Sequence, residues 1–142
     1  MVSPYLDGLM ALSTVACDLP CGPSAPQRAR EWAQHQLTRD AIRPFGIATA
    51  LIDDVLLCLS ELVTNAIEAD CDELSVELAL EDSQIRVSVL DDGDGWPTLL
   101  RPAITDFGGR GLMIVNALAR NWGAESAGPS KRVWAELRST AG

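Results

Sequence analysis

The stretch from Ile47 to Ala69 restricts this chain most, because Leu51, Val55, Leu59, Leu62 and Ala66 recur there at helical spacing. Steps of three and four residues place these side chains on one stripe of a helix, and an apolar stripe that long has to be buried against another element. The next segments supply one. Leu74–Leu80 (LSVELAL) and Ile85–Leu90 (IRVSVL) alternate apolar and polar residues across the turn sequence EDSQ, which is the pattern of a half-buried hairpin. With helices and strands segregated in blocks, the prediction is an α+β fold, a two-layer helix/sheet sandwich with a mainly antiparallel sheet.

The remaining segments fit around that pair of layers. Residues 1–8 read as a loose N-terminal end and 9–142 as one domain, in keeping with the roughly 150-residue size of a single domain. Leu9–Asp18 predicts a first strand and PCGP a turn. Ser24, with Gln27 three residues on, predicts a capped helix through about Thr38. The Gly- and Pro-rich stretch from Asp91 to Gly109 leads into the helical LMIVNALARN beginning at Leu112, and short strands are predicted at Trp122–Ser126 and Arg132–Leu137.

Charge narrows the partners. A net charge of −9 gives counterion-release binding to a polyanion little to work with, so direct nucleic-acid binding is not expected. A nucleotide escapes this argument, since magnesium and a few local donors offset its phosphates. The N-terminus lacks a basic region before its apolar stretch, and no run approaches the roughly 18 apolar residues of a membrane span, so a cytoplasmic location without membrane attachment is expected. Cys17, Cys21, Cys58 and Cys71 then read as reduced thiols acting as small hydrophobes, and His35 as an incidental helix residue.

Three short motifs carry chemistry. Glu61 and Asn65 stand one helical turn apart, with Asp54 and Glu68 extending the stripe. A solvated face is the ordinary reading; the chemical one is an amide oxygen as a hard ligand for magnesium beside a carboxylate that deprotonates a hydroxyl. Asp91-Asp92-Gly93-Asp94-Gly95 follows a strand. It is either a simple turn or an acid that accepts a hydrogen bond from an adenine amine, with glycines that let the base approach. Gly108-Gly109-Arg110-Gly111-Leu112 runs into a helix, as a hinge or as a cradle of backbone amides for phosphate.

Taken in order, ELVTNAI, DDGDG and GGRGLMIV resemble the N box and two glycine boxes of the GHKL (histidine kinase-like, Bergerat-type) ATPase superfamily. Their spelling, with the closing KRVWAEL, is most similar to the stand-alone anti-sigma factor serine/threonine kinase-like proteins of actinobacteria, over about residues 20–138. The resemblance implies ATP and Mg2+ as cofactors, Glu61 as catalytic base and Asn65 as magnesium ligand. It makes Asp91 the adenine-recognising acid, with Gly93 and Gly95 lining the base pocket. Gly109, Arg110, Gly111 and Leu112 would hold the phosphates under a short lid from Trp96 to Gly108.

It further implies a partner-switching regulator: a homodimeric protein kinase that phosphorylates a serine on an anti-sigma antagonist and can sequester a sigma factor. Three positions depart from relatives. Glu68-Ala69-Asp70 replaces an Arg-His pair, Arg132 stands where a threonine is usual beside the adenine-binding acid, and Asp94 replaces a neutral residue. They keep open the alternative of a non-catalytic nucleotide-binding or protein-binding module with the same fold. A detached histidine kinase domain would want a phosphoacceptor helical hairpin, and a gyrase-type ATPase a further domain; neither pattern is seen.

Overall fold

The computed structural model describes residues 13–38, 48–81, 84–93 and 107–138, the segment 107–111 by its backbone alone. Along the chain these form β1 (Ser13–Pro20), α1 (Ala25–Thr38), α2 (Thr49–Glu68), β2 (Glu73–Glu81), β3 (Gln84–Asp91), α3 (Phe107–Leu118), β4 (Asn121–Ala127) and β5 (Ser130–Arg138). The strands make a sheet in the order β1-β2-β3-β5-β4, and every neighbouring pair is antiparallel. The fold is therefore α+β, two layers, as the segregated pattern of the sequence predicts.

Strand alternation builds the core. Val76 and Leu78 of β2, Val87 and Val89 of β3, and Val133, Ala135 and Leu137 of β5 are buried at every second position, where they meet Val55, Leu59, Leu62 and Ala66 of α2 in one apolar cluster. Helix α1 lies against α2 along a seam of Ala25, Ala29, Ala33 and Leu37, spaced four residues apart. Three small side chains in that seam permit close approach, and Arg30 Nη1 ties the two helices by donating to Ser60 Oγ at 3.0 Å. Ser60 in turn donates to the carbonyl of Leu56, so the hydroxyl inside the interface is satisfied.

Several local details differ from the sequence reading. Helix α3 begins at Phe107 and not at Leu112, so the glycine segment lies inside the helix. Gln27 does not reach back to complete a capping box; its amide donates to Glu31, one turn on. Cys21 and Cys71 form a disulfide, with Cα atoms 5.8 Å apart, which corrects the reading of all four cysteines as reduced thiols; Cys17 and Cys58 remain thiols. The sheet explains the pairing. Pro20 of β1 stands opposite Glu73 of β2, so the residues just beyond the paired ends meet, and the Cys21 amide donates to the Asp72 carbonyl at 3.1 Å.

The loose end at 1–8, most of the lid at Trp96–Gly108, and Asp94 and Gly95 lie outside the described residues. No helix among the described residues is long and apolar enough to cross a membrane.

Candidate functional site

Helix α2 presents a polar stripe next to its apolar face. Asp54, Glu61 and Asn65 are each half-buried, while Glu68 is exposed. Cys58 shows that the first two carboxylates share one side of the helix. Its thiol pKa is pushed up to about 12, chiefly by burial and then by the negative charges of Asp54 and Glu61 on either side. Asn65 is the next turn of the same stripe, and among the described residues its side chain makes no hydrogen bond.

The stripe leads to the end of β3. Ala69, one turn beyond Asn65, donates its amide to the Asn65 carbonyl, and Gly93 packs directly on the Ala69 backbone. A β-carbon on Gly93 would lie 2.5 Å from the Ala69 carbonyl oxygen, closer than real contacts allow, so any larger residue has to push the two backbones apart. The helix that carries ELVTNAI and the start of the DDGDG segment thus meet at one point. Helix α2 ends there because Asp70 takes a left-handed conformation, with φ of 61°, at which the helical hydrogen-bond pattern stops.

Asp91, the last residue of β3, is 2% exposed. Its Oδ1 accepts from the Gly93 amide at 2.8 Å and from Lys131 Nζ at 2.6 Å, whereas Oδ2 is buried and has no partner among the described residues. Lys131, itself 4% exposed, also reaches the Gly93 carbonyl at 3.3 Å. This corrects the register expected from sequence. Asp91 pairs with Lys131, and Arg132 pairs with Leu90, so Lys131 and not Arg132 stands beside the acid. A slip of one residue moves a side chain to the opposite face of a sheet, and Lys131 shares the inward parity of Val133, Ala135 and Leu137. That parity was the signal available in the sequence.

Asp92, beside it, faces the other way in function as well. Its Oδ1 accepts the Asp72 amide at 2.8 Å and the Glu73 amide at 3.4 Å, fixing the start of β2, and the first of these bonds is the main reason its carboxyl is held below the usual carboxylate range. An open cavity of about 540 Å³ lies at this end of the sheet, lined by Asp18, Glu73, Ser75, Leu90, Asp92 and Ser130 among others. Its three surface carboxylates suit phosphate poorly, and Asp91 is the one residue it shares with the expected site.

Across from the stripe, α3 contacts α2. A helix leaves its first amides without partners inside it, and with α3 starting at Phe107 those of Phe107, Gly108 and Gly109 are among them. Gly111 and Leu112 lie further along the helix, and the Leu112 side chain is wholly buried in the core. Glu68 and Asp70, the acids that replace an Arg-His pair, are both exposed to solvent.

A metal would have to fit what is present. Among the described residues no three His, Cys, Asp or Glu side chains converge as a metal site. Asn65 offers one hard amide oxygen, which suits an ion that takes most of its ligands from nucleotide phosphates and water.

The model of the histidine kinase-like ATPase domain matches residues 22–136. Among solved structures, the crystal structure of the RsbU and RsbW domains of Rv1364c from Mycobacterium tuberculosis shares the fold, with a TM-score of 0.64 at 20% identity over 89% of this chain. The chain spans 32% of the length of that protein. No curated protein matches. With its matched region running from before α1 to within β5, this chain belongs to the histidine kinase-like ATPase domain family.

Proposed function

We propose that the chain is a cytoplasmic, ATP-dependent protein serine/threonine kinase of the anti-sigma type, acting over a single domain at residues 9–142. The observation that carries this reading is the packing of Gly93, whose amide holds Asp91, on Ala69, one turn beyond Asn65 on α2, with a buried Asp91 oxygen that has no partner among the described residues. Asp91 Oδ2 would accept from the adenine amine, while Gly93 and Gly95 make room for the base. The amides at the start of α3, with Arg110, would hold the phosphates.

Magnesium, held by Asn65 and the phosphates, would supply charge neutralisation as the γ-phosphoryl group leaves. Glu61 would accept the proton of a serine hydroxyl on the protein substrate. The serine oxygen bonds the γ-phosphorus, the bond from that phosphorus to the bridging oxygen breaks, and ADP departs. The motif resemblance to anti-sigma factor kinase-like proteins supports an anti-sigma antagonist as substrate, a sigma factor as a second partner, and a homodimer.

The test uses two variants on one turn of α2. Glu61→Ala should retain nucleotide binding and lower phosphoryl transfer about 10²-fold or more. Asn65→Ala should weaken the magnesium-dependent binding itself. Transfer that survives Glu61→Ala unchanged removes the base from the mechanism. A second reading, the contact-only binding module, is favoured by the Lys131–Asp91 ion pair in the base site; binding of both ATP and a serine-bearing partner without transfer would establish it.

A further inference from the structure

We propose that Lys131 is a second base-contacting residue, which donates a hydrogen bond to ring nitrogen N1 of a 6-aminopurine while Asp91 accepts from the exocyclic amine. The proposal rests on the nucleotide reading above and adds to it a specificity-determining group from β5.

Three observations carry it. First, register puts the two side chains side by side on the helix-facing surface of the sheet, at adjacent strands. Second, an ammonium group has three donors, and among the described residues Lys131 directs two of them at Asp91 Oδ1 and the Gly93 carbonyl. Third, Asp91 Oδ2 is buried and has no partner among the described residues. A buried carboxylate oxygen left unpaired is costly, and a ligand donor removes that cost.

Lysine changes what the pocket can read. An isolated carboxylate offers acceptors only. The Asp91–Lys131 pair offers an acceptor next to a donor, with the two charges balanced, so the buried floor of the site carries no net charge of its own. The edge of a 6-aminopurine presents the complement: an amine donor beside the N1 acceptor. Both partners are fixed before binding, because Gly93 supplies its amide to Asp91 and its carbonyl to Lys131, and Gly93 is wedged against Ala69. Little side-chain ordering is left for the ligand to impose.

The experiment compares magnesium-ATP with magnesium-1-deaza-ATP, in which N1 is replaced by C–H, by calorimetric titration of the full chain. The wild type should bind the analogue about tenfold or more weakly, since it leaves a buried donor unpaired. Lys131→Met should weaken ATP and abolish the difference between the two ligands. Equal binding of ATP and the analogue by the wild type overturns the role of Lys131 while leaving the nucleotide reading intact. Tighter ATP binding by Lys131→Met than by wild type also overturns it, and makes the lysine a plug. Failure of wild type to bind ATP at all instead removes the nucleotide reading on which the proposal stands. Because Lys131→Met strands the charge of Asp91, the analogue comparison on unmodified protein decides the matter even where that variant does not fold.

Discussion

Gly93 and the carbonyl of Ala69 touch so closely that a β-carbon on Gly93 would come within 2.5 Å of that oxygen and 3.0 Å of the Ala69 β-carbon. The obstacle is backbone at the end of α2, which cannot swing aside as a side chain would. Inserting a methyl group has to separate the end of β3 from the helix, at an overpacking cost of about 1–3 kcal/mol. Gly93→Ala should therefore lower the melting temperature by several degrees, at about 2–4 °C per kcal/mol for a domain near this size. It should also weaken ATP binding, because Asp91 is held by the Gly93 amide. A variant that melts and binds like wild type would show that the contact opens at no cost.

The Cys21–Cys71 bond closes a sequence separation of 50 residues. In the chain-entropy picture a loop of that length stabilises the fold by about 4 kcal/mol, within the usual range of 2–4. The bond joins the end of β1 to the turn between α2 and β2, beside the strand end that carries Asp91. Thermal melts with and without reductant should differ by about 5–15 °C for wild type. Cys21→Ala/Cys71→Ala should melt at the lower temperature under both conditions. Coincident wild-type melts would show that the bond contributes nothing to stability. In a cytoplasm the same bond would be exposed to a reducing thiol pool.

The elements of this fold were legible because they are long and periodic. Helix α2 and the β2–β3 hairpin were found within a residue or two of their ends. What escaped was set by geometry across the chain. Cys21 and Cys71 become neighbours only through the β1–β2 register, and nothing local marks them. The sequence reading puts Arg132 beside the acid, one residue from Lys131, which stands there, and in a strand one residue decides which layer a side chain enters. Gly108 to Gly111 read as a loop because glycine disfavours helix interiors, and the start of α3 at Phe107 overrides that propensity. Of the site, Glu61, Asn65, Asp91 and Gly93 are readable as residues, while the packing of Gly93 on Ala69, which brings the end of β3 to the end of α2, is not.

Asp92 gives a pH signature at the same corner. Its carboxyl is held below 3.8 first by the hydrogen bond from the Asp72 amide, with the Glu73 and Lys131 neighbourhood adding to it. The depressed value means that the contribution is present above the ordinary carboxylate pKa and is lost as pH falls through the lower, folded one. The Asp72 amide proton, followed by NMR from pH 6 downward, should shift with a midpoint below 3.8. In Asp92→Asn that titration should disappear. A midpoint at or above 3.8 would mean that the bond to Asp72 does not favour the charged carboxylate.

Cys58 reports on the charge state of the stripe that includes Glu61. Its thiol pKa of about 12 reflects burial first, then Asp54, then Glu61, so only the last two parts can be removed by substitution on the surface of α2. At pH 8 a thiol with that pKa holds about one part in 10⁴ as thiolate, and only thiolate reacts. In native protein at pH 8, half-exposed Cys17 should therefore react with a disulfide reagent while Cys58 stays silent. At pH 9, the slow labelling of Cys58 should become faster in Asp54→Asn, and by a smaller factor in Glu61→Gln, because each removes one negative charge that opposes ionisation of the thiol. Mass spectrometry of the labelled peptide separates the two cysteines. If Glu61→Gln leaves the rate unchanged while Asp54→Asn raises it, the Glu61 carboxylate does not face this side of the helix as an ion, and its assignment as the base beside Asn65 fails with it.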